Sequence, residues 1–150
     1  MISKKDLKEL AHVRLKDANI LSYNNRHLGS QYLAGYSVEL MLKYNVCKLF
    51  NLSNGYPESK SDLESYLSGI KVNFQNAMKN IDLKTFKTHN LNELLLISGK
   101  EFDVKNLHLK GWKDILFCNP ELRYLNFRQN KSESKKFLSS VNKILKVLNK

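Results

Sequence analysis

Arg123, Tyr124 and Arg128, with Phe127 between the arginines, form the stretch of this chain best suited to holding phosphate. A guanidinium is a planar, permanently charged fork that matches phosphate oxygens. An aromatic side chain beside it can stack a base. Lys131 follows closely and adds a cation that attracts phosphate without reading sequence. The competing reading is an Arg–aromatic turn that anchors the last helix, with Glu121 as its ion-pair partner. His89, between Thr88 and Asn90, also has two readings. It is a proton carrier reached from elsewhere in the fold, because imidazole titrates near neutrality, or it hydrogen-bonds around a helix start. Glu39 and Lys43 stand one helical turn apart with the acid first, the favoured order for a helical pair. They form an internal ion pair or one meeting a neighbouring helix; the functional alternative, with Tyr36, is the rim of a ligand cleft or a dimer seam. Tyr32 and Tyr36 flank Gly35 at one-turn spacing and read as core packing, with a base-stacking platform as the alternative. His12, His27 and His108 show no partner pattern and read as surface or capping residues.

These side chains need a scaffold, and composition bounds it. A chain of 150 residues is ordinarily one domain with room for a sizeable core. Lys and Arg total 25 against 14 acids, a net charge of +11 and a pI near 9.6. That excess points to RNA, DNA or an acidic protein surface as partner and says nothing about fold. Much of it is Lys among many Asn and Ile, which genome composition alone can also produce. Cys47 and Cys118 have neither a second Cys nor a His at metal-ligand spacing, so both read as reduced core thiols. No metal site and no cofactor motif follows from the sequence. The opening MISKKDLKEL is amphipathic and lacks the apolar centre of a signal peptide, which places the chain in the cytoplasm.

Hydrophobic spacing supplies the elements. Ser3 with Asp6 resembles a helix cap, and Leu7, Leu10, Ala11, Ala18 and Leu21 recur at helical spacing up to a break at Tyr23-Asn24-Asn25. From Leu28 or Ser30 to Phe50 the chain is apolar nearly all round, as in a helix buried on most sides. Glu39 and Lys43 interrupt it too much for a membrane span. A short connection makes these two helices antiparallel. Asn51 to Lys60 has turn chemistry. Ser61, with Glu64 as capping partner, opens an amphipathic helix through Leu63, Tyr66, Leu67, Ile70, Phe74, Ala77, Met78 and Ile81. Asn90 with Glu93 caps a short helix that stops at Gly99. Lys105 to Phe117 is helical through Leu109, Trp112, Ile115 and Leu116, and Asn119-Pro120 ends it. Asn130 with Glu133 caps a last helix that buries Phe137, Val141, Ile144, Leu145 and Leu148 and leaves Lys135, Lys136, Lys143 and Lys146 wet. No strand alternation and no repeat breaks the pattern. The fold class is an all-α, up-and-down helical bundle.

Taken in order, LAHVRLKDANIL, QYLAGYSVELMLKY, KTHNLNELLLISG and GWKDILFCNPELRY, closed by an amphipathic helix, resemble the HEPN domain. This helical-bundle family occurs in prokaryotic toxin, antiphage and nucleotidyltransferase-partner proteins. The resemblance spans almost the whole chain; Asn54 to Met78 is its least family-like part, an insertion or an elongated helix. It implies a homodimer or a pairing with a nucleotidyltransferase or antitoxin. Many members are metal-independent ribonucleases, whose Arg and His, with four to six residues between them, precede the last helix. In that chemistry Arg grips the scissile phosphate and His moves the proton of the 2′-hydroxyl.

Here no His follows Arg14, Arg26, Arg123 or Arg128 at that spacing, and Arg128 stands where the nearest allowed His would be. The expectation is therefore an RNA- or nucleotide-binding component of a defence or toxin–antitoxin system without the usual Arg/His pair. Two alternatives stay open. One is a ribonuclease with a rearranged site that draws His89 toward Arg123. The other is a non-catalytic module that docks an acidic partner. The Lys87-x-His89-x-Leu91 stretch also resembles the family, with no role to transfer.

Overall fold

In the computed structural model, residues 1–68, 86–116 and 130–150 are described. Their regular secondary structure is α-helical: α1 (Lys4–Tyr23), α2 (His27–Leu49), α3 (Lys60–Ser68), α4 (Leu91–Ile97), α5 (Glu101–Leu116) and α6 (Lys131–Leu148). No strand occurs among the described residues beyond one isolated antiparallel bridge between Ile2 and Tyr56. The protein is an all-α bundle, as the hydrophobic spacing predicts.

Local chemistry sets the helix ends. The Ser3 hydroxyl accepts the Asp6 amide at 3.1 Å and opens α1. Asn25, in the left-handed region at φ 58°, turns the chain between α1 and α2. Asn90 accepts the amides of Asn92 and Glu93 at the start of α4. Gly99 ends that helix at φ 69°, a conformation costly to residues with a Cβ. Asn130 and Glu133 exchange side chain-to-backbone bonds in a full capping box before α6. One expected cap is corrected. Ser59, not Ser61, begins α3: its hydroxyl accepts the Asp62 amide at 3.1 Å, while Asp62 Oδ2 accepts the amides of Ser59 and Glu58. The shorter Asp62 side chain, two residues before Glu64, takes the role expected of Glu64.

The central helix is buried as its sequence demands. Every residue from Ser37 to Leu42 is buried, a run longer than one turn and so covering the whole circumference. It begins at His27, close to the expected Leu28. α1 lies antiparallel to it: Leu21 lies against Gly29 near one end, and Lys8 Nζ sits 5.4 Å from the Tyr44 ring centre near the other. α6 completes the layer, parallel to α2 and antiparallel to α1. Its Ser134 hydroxyl is 3.2 Å from that of Ser22, and its last-turn Leu148 carbonyl accepts from Asn45 Nδ2 at 2.8 Å. α4 packs on α2, and α5 packs on α6. The Trp112 indole N–H donates to Asn92 Oδ1 at 3.0 Å and ties α5 to α4.

Tyr56, Leu63 and Tyr66 extend this core beyond α2. Tyr56 N–H donates to the Ile2 carbonyl, and its hydroxyl donates to the Phe86 carbonyl at 2.7 Å. Tyr66 donates to the Gly55 carbonyl at 2.7 Å. Gly55 stands at φ 118°, where an added Cβ would meet the Ile2 carbonyl oxygen at 2.1 Å. The rest of the expected amphipathic helix, including Gly69, Ile70, Phe74, Ala77, Met78 and Ile81, lies outside the described residues, as does the Asn119-Pro120 stop.

A second correction concerns α5. It starts at Glu101 rather than Lys105, and it leaves helical geometry at His108 (φ −145°, ψ 35°). Trp112 and Ile115 are buried as expected, but Leu109 is 49% exposed. Leu109 directly follows the break and stays outside the buried stripe of Trp112 and Ile115. No described helix is long and apolar enough to cross a membrane.

Candidate functional site

Glu39 is the one acid in a helix that is otherwise nearly all core, and it is 7% exposed. A carboxylate taken out of water needs compensating charge and hydrogen bonds. Lys43, one turn further along α2, supplies the charge with its Nζ 2.8 Å from Glu39 Oε1. The same oxygen lies 2.9 Å from His89 Nδ1. Lys43 Nζ also sits 5.3 Å from the centre of the Tyr56 ring, whose negative face attracts it. The ion pair expected from spacing is present. It is internal to α2 and also meets a neighbouring element.

The chain folds His89 onto Glu39 through the start of α4. Thr88 Oγ1 accepts the Asn90 amide at 2.9 Å, and the Asn90 cap fixes the first turn of α4 against α2. The imidazole ring stays 64% exposed while its Nδ1 reaches inward. An ionised carboxylate can only accept, so the bond requires the proton on Nδ1. In the neutral ring, Nε2 then holds a free lone pair pointing away from the carboxylate. A histidine fixed in one tautomer by a carboxylate is the arrangement used for general base work. Here the carboxylate is shared with Lys43.

Tyr36, one turn before Glu39, is half-buried. Burial raises its phenol above the ordinary tyrosine value; the nearby Glu39 charge raises it further, and Arg14 opposes the rise. Tyr36 and Tyr32 are both half-buried, consistent with packing at the edge of the core. Tyr56 is raised mainly by burial, so its hydroxyl acts as a donor to Phe86 and not as a proton source. Cys47 is fully buried, and burial pushes its thiol to about 12. It is a core thiol, while Cys118 lies outside the described residues. Among the described residues no group of His, Cys, Asp and Glu is placed to hold a metal ion.

Arg123, Tyr124, Phe127 and Arg128 lie outside the described residues, and so does any approach of His89 to Arg123. Lys131 stands exposed in the first turn of α6. Lys135, Lys136, Lys143 and Lys146 share its exposure, and none of the five pairs with a described acid. His12 is exposed, and His27 opens α2 with its Nδ1 buried and unpartnered among the described residues. The pairing of His89 with Glu39 has no motif in the sequence. The available signal is a lone acid in an apolar helix, which must find partners somewhere.

No family model, no curated protein and no solved structure matches this chain.

Proposed function

We propose that this chain is a HEPN-like component of a prokaryotic defence or toxin–antitoxin system. It acts in the cytoplasm as a homodimer and binds RNA or a nucleotide through the Arg123–Arg128 turn and the basic surface beside it. The observation that supports this reading is the outer face of α6. Lysines from Lys131 onward are exposed there and stand unpaired with any described acid, in a chain of net charge +11. Lysines without a protein counter-charge can neutralise phosphates, and release of the cations condensed on the polyanion then favours binding. The test is RNA affinity measured across a salt series. Steep loss of affinity with salt, and weaker binding by Arg123→Ala, support the reading. Absent or salt-insensitive binding would reject it in favour of docking to an acidic protein such as a nucleotidyltransferase or antitoxin.

A second reading is favoured by the Glu39–His89 bond. A solvent-facing imidazole with a fixed tautomer suits metal-independent cleavage of RNA, with Arg123 as the phosphate-gripping group. It requires cleavage in EDTA that His89→Ala abolishes. Cleavage unchanged by that substitution removes His89 as the base.

A further inference from the structure

Between α5 and α6 runs an open groove of about 410 Å³, lined by His108, Lys110 and Asp114 on one wall and Lys136, Ser139 and Lys143 on the other. Its size is within the range of sites that take small organic ligands. Its origin is the backbone of α5. Gly111 brings that helix close to α6, where an added Cβ would stand 3.2 Å from Ser140. His108, where α5 departs from helical geometry, also lines the groove.

The charge of the groove is unbalanced. Three exposed lysines face one carboxylate, and none of the three pairs with a described acid. On α6 the residues at 136, 139, 140 and 143 fall on one helical face, so two hydroxyls sit between two ammonium groups. Hydroxyls and lysines are the side chains that contact phosphate and sugar. Lys136 and Lys143 are two turns apart, roughly 10 Å along the axis. The positive charge is therefore spread along the groove and does not converge on one point, which suits successive phosphates better than a compact anion. Leu107 and Leu109 also line it, 61% and 49% exposed, and give apolar surface against which an unstacked base can lie.

We propose that the α5–α6 groove holds the phosphodiester backbone of a single strand of nucleic acid, gripped by Lys110, Lys136 and Lys143. The inference rests on the nucleic-acid reading above, and the experiment separates the two. Fluorescence anisotropy of a labelled uridine oligonucleotide is measured for the wild-type chain, Lys136→Glu/Lys143→Glu, Arg123→Ala and Lys135→Glu/Lys146→Glu. The last variant makes the same charge change on α6 outside the groove. All four lysines are exposed, so folding is preserved, and circular dichroism checks it; Lys136→Gln/Lys143→Gln repeats the test without added negative charge. Binding by the groove variants is expected to fall roughly tenfold below the control variant. The slope of log affinity against log salt should flatten by about 0.7 for each phosphate of the single strand that the variant no longer neutralises. Equal weakening by the groove and control variants overturns the groove as a site. Weakening by Arg123→Ala alone overturns it too, while leaving the nucleic-acid reading intact. Wild-type protein that binds no oligonucleotide overturns both. Competition by ATP as effective as by the oligonucleotide would make this a mononucleotide site and reject the strand.

Discussion

Glu39 concentrates the polar chemistry of α2 at one oxygen, shared by an ammonium 2.8 Å away and an imidazole nitrogen 2.9 Å away. Removing one member of a buried pair leaves the other uncompensated, which is costlier than removing both. Glu39→Leu should therefore destabilise the protein by roughly 3 kcal/mol in urea denaturation, and Glu39→Leu/Lys43→Met should recover much of that stability. Equal destabilisation by the single and double variants would show that the pair is not coupled. Cys47 gives the pH dependence. Its thiol ionises near 9.0 when exposed and at about 12 in the fold, so the folded state binds more protons between those values. Stability that is fully present below pH 9 then declines as pH rises toward 12. The buried phenol of Tyr56, also raised, acts in the same direction. Urea midpoints should fall as pH rises above 9, and native Cys47 should resist a thiol reagent at neutral pH until the protein unfolds.

At the scale of the element, helix boundaries are held by individual side chains. Asn130 and Glu133 satisfy each other's backbone amides before α6, the helix that carries both the basic face and one wall of the groove. Asn130→Ala should cost about 1 kcal/mol and fray the first turn, where Lys131 stands. Thermal denaturation measures the first effect and amide hydrogen exchange the second. Protection unchanged in that turn would show that packing of Ser134 and Phe137 holds it without the cap. Such caps are legible in the sequence because they act over three residues. The α3 cap is not, since Ser59–Asp62 and Ser61–Glu64 offer the same pattern and only the fold selects between them. The break in α5 is hidden for a related reason: no residue type marks the departure from helical geometry at His108.

At the scale of the molecule, α1, α2 and α6 form the closely packed layer, and α4 and α5 bring the polar groups to its edges. The proposed homodimer predicts twice the monomer mass in light scattering at micromolar concentration. A monomer mass there would confine the binding surface to a single chain. The net charge of +11 predicts that nonspecific association with polyanions weakens with salt whichever of the basic surfaces is used.

The sequence by itself determined the helical class, the burial of α2, the Glu39–Lys43 pair, the apolar stripe of α6 and the caps of α1, α4 and α6. All of these depend on residues within a turn or two of one another, where spacing fixes geometry. Only the tertiary structure decided that His89 closes on Glu39 across fifty positions, and that α5 and α6 leave a lysine-lined groove. Which distant side chains meet depends on how whole helices stack, and no local spacing encodes that.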